Sequence, residues 1–260
     1  MSIKDNVLER LLESEEYISG QELAESLNVS RNAVWKAVKS LENSGYLIDA
    51  VNNKGYKLTN KYSILSENVI KNHLKTSSYG KNIVILNEVD STNNYAKNLA
   101  LNNAEDGTVV ISDYQFAGKG RMGRMFFSPK GTGLYVSVIT RPDISILSAQ
   151  LITSCTAVAV AKTLENLCGQ DIKIKWVNDL FLNERKICGI LTEASMRFEE
   201  KKLDYAVIGI GINIRTSESL PDELKPVITS IEEETGIIID RNILCSELLN
   251  NLEKYICSIE

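Results

Sequence analysis

Histidine is nearly missing from this chain: His73 is the only one in 260 residues. That argues against a His-based triad or a multi-histidine metal site, so any chemistry has to run on other groups. Cysteine is sparse as well. Cys155, Cys168, Cys188, Cys245 and Cys257 are odd in number and form no C-x-x-C pair, which argues against a disulfide framework or a zinc site and for a reducing cytoplasm. Long apolar runs are lacking. The start, MSIKDNVLERLLESEE, is charged throughout and carries no signal-peptide core. The stretch ILSAQLITSCTAVAVAKTLENL is broken by polar residues and reads as a buried helix, so no membrane span is expected. Nor does positive charge dominate: the net charge of -5 excludes a chain coated in basic residues but leaves room for a local basic face. What is present is an ordinary globular mix, 43% apolar and 24% charged, long enough for one large domain or two ordinary ones.

Residues 1–60 read as a small separate unit. NVLERLL puts Val7, Leu8, Leu11 and Leu12 on one helical face. SGQELAESL opens with Ser19 and has Glu22 three residues on, a capping box, with Leu23, Ala24 and Leu27 at helical spacing. After the tight turn NVS, Ser30 caps a helix predicted over 31–44 with Val34, Ala37, Val38 and Leu41 inward and Gly45 as its C-terminal cap. YLIDAVNNKGYKL then reads as a hairpin about Asn52-Asn53-Lys54-Gly55. Helix, helix-turn-helix and hairpin make a winged helix-turn-helix. In that motif the second helix of the pair enters the major groove, so Arg31, Asn32, Trp35, Lys36 and Lys39 are the candidate DNA-binding residues, with Lys54 and Lys57 of the wing reaching phosphates. A polar protein-contact face is the plainer alternative, since the first helix is rich in acid.

The polar stretch TNKYSILSEN supplies a linker, set at 61–66, to a second domain over 67–260 in which strands and helices alternate. NIVILNEV, GTVVISDYQ, GLYVSVIT, DIKIKWVNDLFLN, RKICGILTEAS and LDYAVIGIGINI read as strands. STNNYAKNLALNN, the region near 146–168, a short segment near 227–235 and the Asp240-capped tail DRNILCSELLNNLEKYICSI read as helices. The fold class is therefore mixed α/β or α+β behind a helix-turn-helix.

Three stretches carry candidate chemistry. GKGRMGR, Gly118 to Arg124, packs three glycines and three cations into seven residues. It is not a GxxxxGK[S/T] loop, and the residues after it do not start a helix, so a dinucleotide fold is disfavoured. It suits an anionic ligand over which it could close, or else it is a solvated basic turn. KWVNDLFLNERKICGI brings Lys175, Asn178, Asp179, Lys186 and Gly189 into one region. GIGIN alternates Gly209 and Gly211 on a strand before Asn213, and strand glycines mark close approach of a ligand or another backbone.

These stretches together resemble the bifunctional biotin protein ligases, the biotin operon repressor type. STNNYA, GKGRMGR, FFSPKGTGLYVSV, KWVNDL, KICGIL and GIGINI stand in that family's order and spacing, behind its helix-turn-helix. The resemblance implies a biotin/lipoyl-ligase-type mixed-sheet catalytic domain. It implies that biotin and ATP, with Mg2+, give biotinyl-5'-adenylate and pyrophosphate. The biotin then goes to a lysine of a biotin carboxyl carrier protein. It further implies a ligand-promoted homodimer on operator DNA. Carried over by position, Ser91, Thr92, Asn93, Gln115, Gly118, Lys119, Lys186, Gly189 and Gly209 would hold biotin. Arg121, Arg124, Phe126, Asp179 and Asn213 would hold the nucleotide. Lys186 and Arg121 would be the catalytic cations, and Asp179 would help with magnesium.

The sequence departs from the family at Lys119, often Arg, which loses a bidentate fork; at Phe126, often Trp; and at Val177, usually Pro. The family's C-terminal all-β, SH3-like domain is also expected to be missing after Glu260. That leaves a second reading, a biotin-sensing DNA-binding regulator without ligase turnover. A lipoate or octanoyl ligase is a third, against which the helix-turn-helix and the GKGRMGR loop argue. Cys188, beside the proposed site, reads as a packing residue.

Overall fold

The computed structural model describes all residues except 1, 2, 15, 44, 45, 61–63, 146, 147, 198, 218 and 260. The predicted Gly45 cap, the helix end at Ser44, the first half of the linker and the start of the helix near 146 lie outside the described residues. The chain divides into two units, Met1–Ser66 and Glu67–Glu260.

In the first unit, α1 (Ile3–Glu13), α2 (Gly20–Ser26) and α3 (Arg31–Asn43) precede a hairpin of β1 (Leu47–Val51) and β2 (Gly55–Asn60). Both predicted caps form: Ser19 Oγ accepts from the Glu22 N–H at 3.0 Å and Ser30 Oγ from the Ala33 N–H at 3.2 Å. Val7 and Leu11 of α1, Leu23 and Ala24 of α2, and Val34, Ala37, Val38 and Leu41 of α3 make one core with Tyr46 and Leu58. A feature the sequence did not suggest is a third short pairing. The N–H of Ile18 and the N–H of Tyr56 each donate to the other's carbonyl at 2.9 Å. It explains Gly55, whose φ is +112° and where a Cβ would stand 2.1 Å from the Ile18 carbonyl oxygen.

The second unit is built on a seven-stranded sheet. Its elements are α4 (Glu67–His73), β3 (Ile83–Leu86), α5 (Thr92–Leu101), β4 (Val109–Ser112), β5 (Gly133–Thr140), α6 (Ala149–Cys168), β6 (Lys173–Lys175), β7 (Asp179–Leu182), β8 (Arg185–Arg197), β9 (Lys202–Asn213), α7 (Ile231–Thr235) and α8 (Arg241–Ile256). The strand order is β3-β4-β5-β9-β8-β7-β6, with β3 and β4 parallel and every other pair antiparallel. One expectation is corrected. DIKIKWVNDLFLN is two strands, β6 and β7, folded back so that Lys175 pairs with Asp179. The reversal spans only residues 176–178, contains a cis Trp176–Val177 peptide and has no glycine or proline to announce it. The last short helix is also briefer than expected, starting at Ile231 after its cap Ser230.

Strand alternation gives the sheet two unlike faces. Register aligns Val138 with Ile208, Val136 with Ile210 and Ile190 with Ile210 on one face, joined there by Cys188 and Ile212. All of these are buried. Helix α6 packs on β7, β8 and β9 and against α8, and its Thr153 Oγ1 donates to Thr192 Oγ1 on this face at 2.9 Å. The other face carries Ser137 opposite Gly209, Gly209 opposite Leu191, and Gly211 opposite Gly189. Helix α5 covers one end of it through Ala96 and Ala100, which pack with Val110, Ile139, Tyr205 and Val207. The glycine end is left open.

Candidate active site and DNA-binding helix

The open end of the glycine face is a cavity of about 250 Å³. The first turn of α5 supplies Ser91, Thr92 and Asn93, the basic loop supplies Lys119 to Phe126, and β7 to β9 supply Asp179, Lys186, Gly189, Gly209 and Gly211. The glycines are required sterically. A Cβ at Gly209 would lie 2.1 Å from Asn93 Oδ1, and one at Gly211 would lie 2.4 Å from the Phe126 ring. The ring also lies over Gly189 and meets Tyr135 edge-on at 6.5 Å between centroids.

Beneath the cavity runs a buried polar network. Gln115 Oε1 accepts from the Thr92 N–H at 2.9 Å and from Thr92 Oγ1 at 3.1 Å, and Gln115 Nε2 donates to Ser128 Oγ at 2.8 Å. Ser137 Oγ lies 2.8 Å from Thr92 Oγ1 and donates to Asn93 Oδ1 at 2.7 Å. Asn93 Nδ2 donates to Glu193 Oε2 at 2.9 Å and to the Leu191 carbonyl at 3.2 Å. Asn93 is thus held on both sides of its amide, while Ser91, the residue at the N-cap of α5, makes no side-chain capping bond. Burial alone would raise the Glu193 carboxyl, but bonds from Lys97 and Asn93 outweigh it and hold it below the usual glutamate range.

Cations line the cavity rim. Lys186 Nζ is 2.7 Å from Asp179 Oδ1, and both side chains are about a quarter exposed. A β-bulge between Leu180 and Phe181 leaves Ile187 as the extra residue of β8. Such bulges re-aim neighbouring side chains, and both Lys186 and Gly189 line this cavity. Arg121 sits in a single 3-10 turn, Arg121–Gly123, and donates from Nη1 to Asn178 Oδ1 at 2.9 Å. Asn178 Nδ2 donates onward to Asp179 Oδ1 at 3.1 Å. Lys119 Nζ donates to Asn94 Oδ1 at 2.7 Å. The basic loop is therefore tied to α5 at one end and to the β6–β7 turn at the other. Arg124 is exposed at the rim.

A second cavity of about 100 Å³ adjoins the first, and Met125, Phe126 and Lys186 line both. It adds Asn213, Arg215, Thr216, Leu224 and the 228–230 segment. Of the residues expected at the site, Ser91, Thr92, Asn93, Gln115, Lys119, Arg121, Arg124, Phe126, Asp179, Lys186, Gly189 and Gly209 line the first cavity, and Asn213 lines the second. Gly118 lines neither: it is buried, and a Cβ there would meet the Phe126 carbonyl oxygen at 2.4 Å. Its place is to let the loop fold tightly on itself. Ser137 and Glu193 were missed, although a serine inside the apolar run GLYVSVIT was a visible signal. The wall formed by Arg215, Thr216 and residues 228–230 comes from irregular chain with no motif to mark it. Among the described residues no group of three or more His, Cys, Asp or Glu could hold a metal. Cys188 is fully buried on the aliphatic face, where burial pushes its thiol up.

In the first unit, Arg31, Asn32, Trp35, Lys36 and Lys39 form the exposed face of α3, opposite its buried stripe. Trp35 is 49% exposed, and Lys39 pairs with Glu42 at 2.7 Å. Lys54 and Lys57 Nζ lie 5.7 and 5.9 Å from the Tyr17 ring.

The chain thus joins a helix-turn-helix unit to a unit whose cation-lined cavity suits an anionic ligand, the make-up of a helix-turn-helix protein fused to a ligand-binding domain. The sequence comparisons agree. Residues 4–57 match the HTH domain family and residues 86–213 the Biotin/lipoate A/B protein ligase family. The bifunctional ligase/repressor BirA of Bacillus subtilis (strain 168) is 42% identical over 240 residues, covering 92% of this chain and 73% of that protein. That of Escherichia coli (strain K12) is 33% identical over 257 residues, covering 96% and 77%. A biotin protein ligase from Aquifex aeolicus, solved in complex with biotin and ATP, matches with TM-score 0.58 and 32% identity over 68% of this chain and 71% of that one. The chain belongs to the bifunctional ligase/repressor family.

Proposed function

We propose that the chain joins biotin to ATP, giving biotinyl-5'-adenylate, passes the biotin to a lysine of a biotin carboxyl carrier protein, and represses transcription in response to biotin. The observation that carries this reading is that Lys186 lines both cavities. With biotin in the larger cavity and the nucleotide in the smaller, the carboxylate and the α-phosphate meet at that ammonium.

The chemistry requires two anions to approach. A carboxylate oxygen attacks the α-phosphorus, the bond to the bridging oxygen breaks, and pyrophosphate leaves with the electron pair. Lys186 and Arg121 offset the crowded charge and hold the in-line geometry. Ser91, Thr92 and Gln115 serve the biotin ring system, with Asn93 fixing the first turn of α5. Gly189 and Gly209 leave room for the ring beside the strands. Phe126 and Asn213 serve the nucleotide. Arg124 and Lys119 add positive potential at the mouth. The residues fit a magnesium ion held mainly by phosphates, with Asp179 the carboxylate that pairs with Lys186, rather than a protein cage. When bound, that ion would neutralise phosphate charge. In the second step the carrier lysine amine attacks the acyl carbon and AMP leaves.

The repressor reading rests on the exposed Arg31, Asn32, Trp35, Lys36 and Lys39 face and on Lys54 of the wing. An adenylate that prefers a homodimer must promote that dimer, and thereby binding to a two-part operator, by linkage. The five free cysteines suit a reducing cytoplasm, and no described helix is long and apolar enough to cross a membrane.

Titration calorimetry with biotin, then pyrophosphate release with biotin and Mg-ATP, tests the enzyme. Binding together with release is expected. Binding without release would leave a biotin sensor without turnover, and a preference for lipoate in competition would overturn the substrate. Operator affinity left unchanged by biotin and ATP would overturn the switch.

A further inference from the structure

Next to Lys186 in sequence, and bonded to two residues that line the smaller cavity, lies a cluster that the chemistry above does not use. Arg185 Nη1 donates to Glu233 Oε1 at 2.8 Å, and Arg185 Nη2 donates to Glu234 Oε1. One guanidinium thus spans two consecutive carboxylates at the start of α7. Each carboxylate also accepts from a residue of the cavity wall. Thr216 Oγ1 donates to Glu233, and Thr229 Oγ1 donates to Glu234 Oε1 at 2.8 Å. Thr216 and Thr229 both line the smaller cavity. Asn183 Nδ2 completes the set with a 2.7 Å bond to Glu234 Oε2.

The backbone repeats the connection. Lys186 donates its N–H to the Val227 carbonyl at 2.8 Å and accepts from the Thr229 N–H at 2.9 Å. Asn213 Nδ2 reaches the Thr229 carbonyl at 3.1 Å. The wall made of residues 214–217 and 227–230 is irregular chain, pinned by backbone hydrogen bonds from Ile214 and Arg215 to Thr132 and between Lys186 and Val227 and Thr229. The strand that carries Lys186 is paired with β7 on one side and β9 on the other. Arg185 adds a side-chain link between the two, through Glu233 and Glu234 to Thr216 and Thr229.

We propose that Arg185, with Glu233 and Glu234, is a positioning clasp for the nucleotide: it fixes the Thr216 and Thr229 walls against the strand of Lys186 and so sets affinity for ATP without touching the biotin site. This rests on the reading that the nucleotide occupies the smaller cavity. The clasp is charge-assisted on every arm and partly out of water, with the Glu234 side chain 8% exposed, so its geometry is held more firmly than that of a surface ion pair. The carboxyls stay ionised. The Thr216 bond and the Arg185 bond hold Glu233 below the usual range, and for Glu234 burial works the other way but is outweighed by Asn183, Thr229 and Arg185.

The test is calorimetry on the full chain with two probes, biotin alone and the non-cleavable α,β-methylene-ATP, alongside KM and kcat for pyrophosphate release. Arg185→Ala is expected to raise the Kd for α,β-methylene-ATP and the KM for ATP about tenfold, as for loss of one partner from a partly buried charged hydrogen bond. Biotin Kd is expected to stay at the wild-type value, and Arg185→Lys to recover part of the loss. If Arg185→Ala lowers the melting temperature so far that binding cannot be read, Glu233→Gln supplies the same comparison with the guanidinium retained. Equal loss of biotin and nucleotide affinity would make the cluster a general stability element and overturn the proposal. Leu224→Trp, which fills the smaller cavity, separates the two layers. If it weakens nucleotide binding while Arg185→Ala and Glu233→Gln do not, the clasp is wrong and the nucleotide's place stands. If it leaves nucleotide binding intact, the nucleotide's place is wrong and the clasp falls with it.

Discussion

The two faces of the seven-stranded sheet are written by the same strands, residue by alternate residue, and they do opposite things. In β9 the odd positions Gly209 and Gly211 clear space, while Ile208, Ile210 and Ile212 fill it. In β8, Gly189 faces the cavity and its neighbours Cys188 and Ile190 are buried on the other side. One face is dry, aliphatic and covered by α6. The other is polar and glycine-rich, and α5 covers only one end of it. Burial of the first gives the sheet its stability. That stability lets the second keep three glycines, a buried hydrogen-bond network and a rim of cations, none of which would hold a sheet together alone. The substitution GIGIN for an all-aliphatic run thus converts half of a core strand into the floor of a binding site.

The comparison predicts that damage to the two faces separates function from stability. The largest effect is expected at Lys186, on the cavity side. Lys186→Ala should cut the rate of adenylate formation about 10²–10³-fold, the scale for one lost group that stabilises developing charge. Its melting temperature should stay close to wild type, because the side chain is a quarter exposed and its loss leaves the aliphatic face intact. Pyrophosphate release and a thermal melt on the same preparation decide it, and near-normal turnover would remove Lys186 from the mechanism. Arg121→Gly should come next. It cuts the loop's bond to Asn178 and removes a cation from the rim. The adenylate should then escape about tenfold faster, the cost of one charged hydrogen bond, and label lysines indiscriminately. Labelling confined to the carrier protein would show that Arg121 does not retain the adenylate.

The sharpest form of the comparison uses neighbours. Gly209→Ala places a methyl 2.1 Å from Asn93 Oδ1, so Asn93 and the bonds it makes to Ser137 and Glu193 must shift. Overpacking of this kind costs about 1–3 kcal/mol, and biotin affinity should fall with it. Ile208→Ala, one residue away and fully buried, should cost about 2–5 kcal/mol through lost burial and the cavity left behind. The molecules that remain folded should bind biotin normally. Chemical denaturation and biotin titration of both variants make the test. Biotin affinity lost equally in both would mean that the faces are not independent.

Much of this division could be read from the sequence, and the reasons differ by element. The helix-turn-helix was legible because its caps, Ser19 and Ser30, and its buried stripe are local signals. GIGIN, GKGRMGR and KICGIL stood out because glycines and cations cluster in them, and the structure lines one cavity with their residues. The β6–β7 reversal was not, because its turn has neither glycine nor proline. The Ile18–Tyr56 pairing was hidden, since it joins residues 38 apart in sequence without a repeat or motif. The Ile187 bulge was hidden too, since a one-residue slip changes no residue type. The wall of the smaller cavity comes from irregular segments that only tertiary contacts assemble. Gly118 shows the limit of motif reasoning: it was placed among the ligand contacts, whereas its closest approach is to the loop's own backbone and to Ser128.

The smallest expected effect lies at the seam between the faces' functions, in the Glu193 carboxylate that holds Asn93. Lys97 and Asn93 outweigh burial and depress this group's folded pKa below the ordinary glutamate value of 4.5. A depressed folded pKa means that ionised Glu193 stabilises the fold above the unfolded pKa, and that this contribution is lost as pH falls through the folded one. Thermal melts of wild type and Glu193→Gln should therefore differ near neutral pH, converge as pH drops below about 4.5, and coincide once the wild-type carboxyl is protonated. The change should be modest, since the pair is 30% exposed on each side and salt screens it. Biotin affinity should follow the same pH course, because neutralising the carboxylate weakens one of the three hydrogen bonds that hold the Asn93 amide. A Glu193→Gln variant that melts like wild type at every pH, yet loses biotin affinity, would show that the network serves the ligand alone. One that loses stability and keeps its affinity would assign Glu193 to the structural side of the sheet.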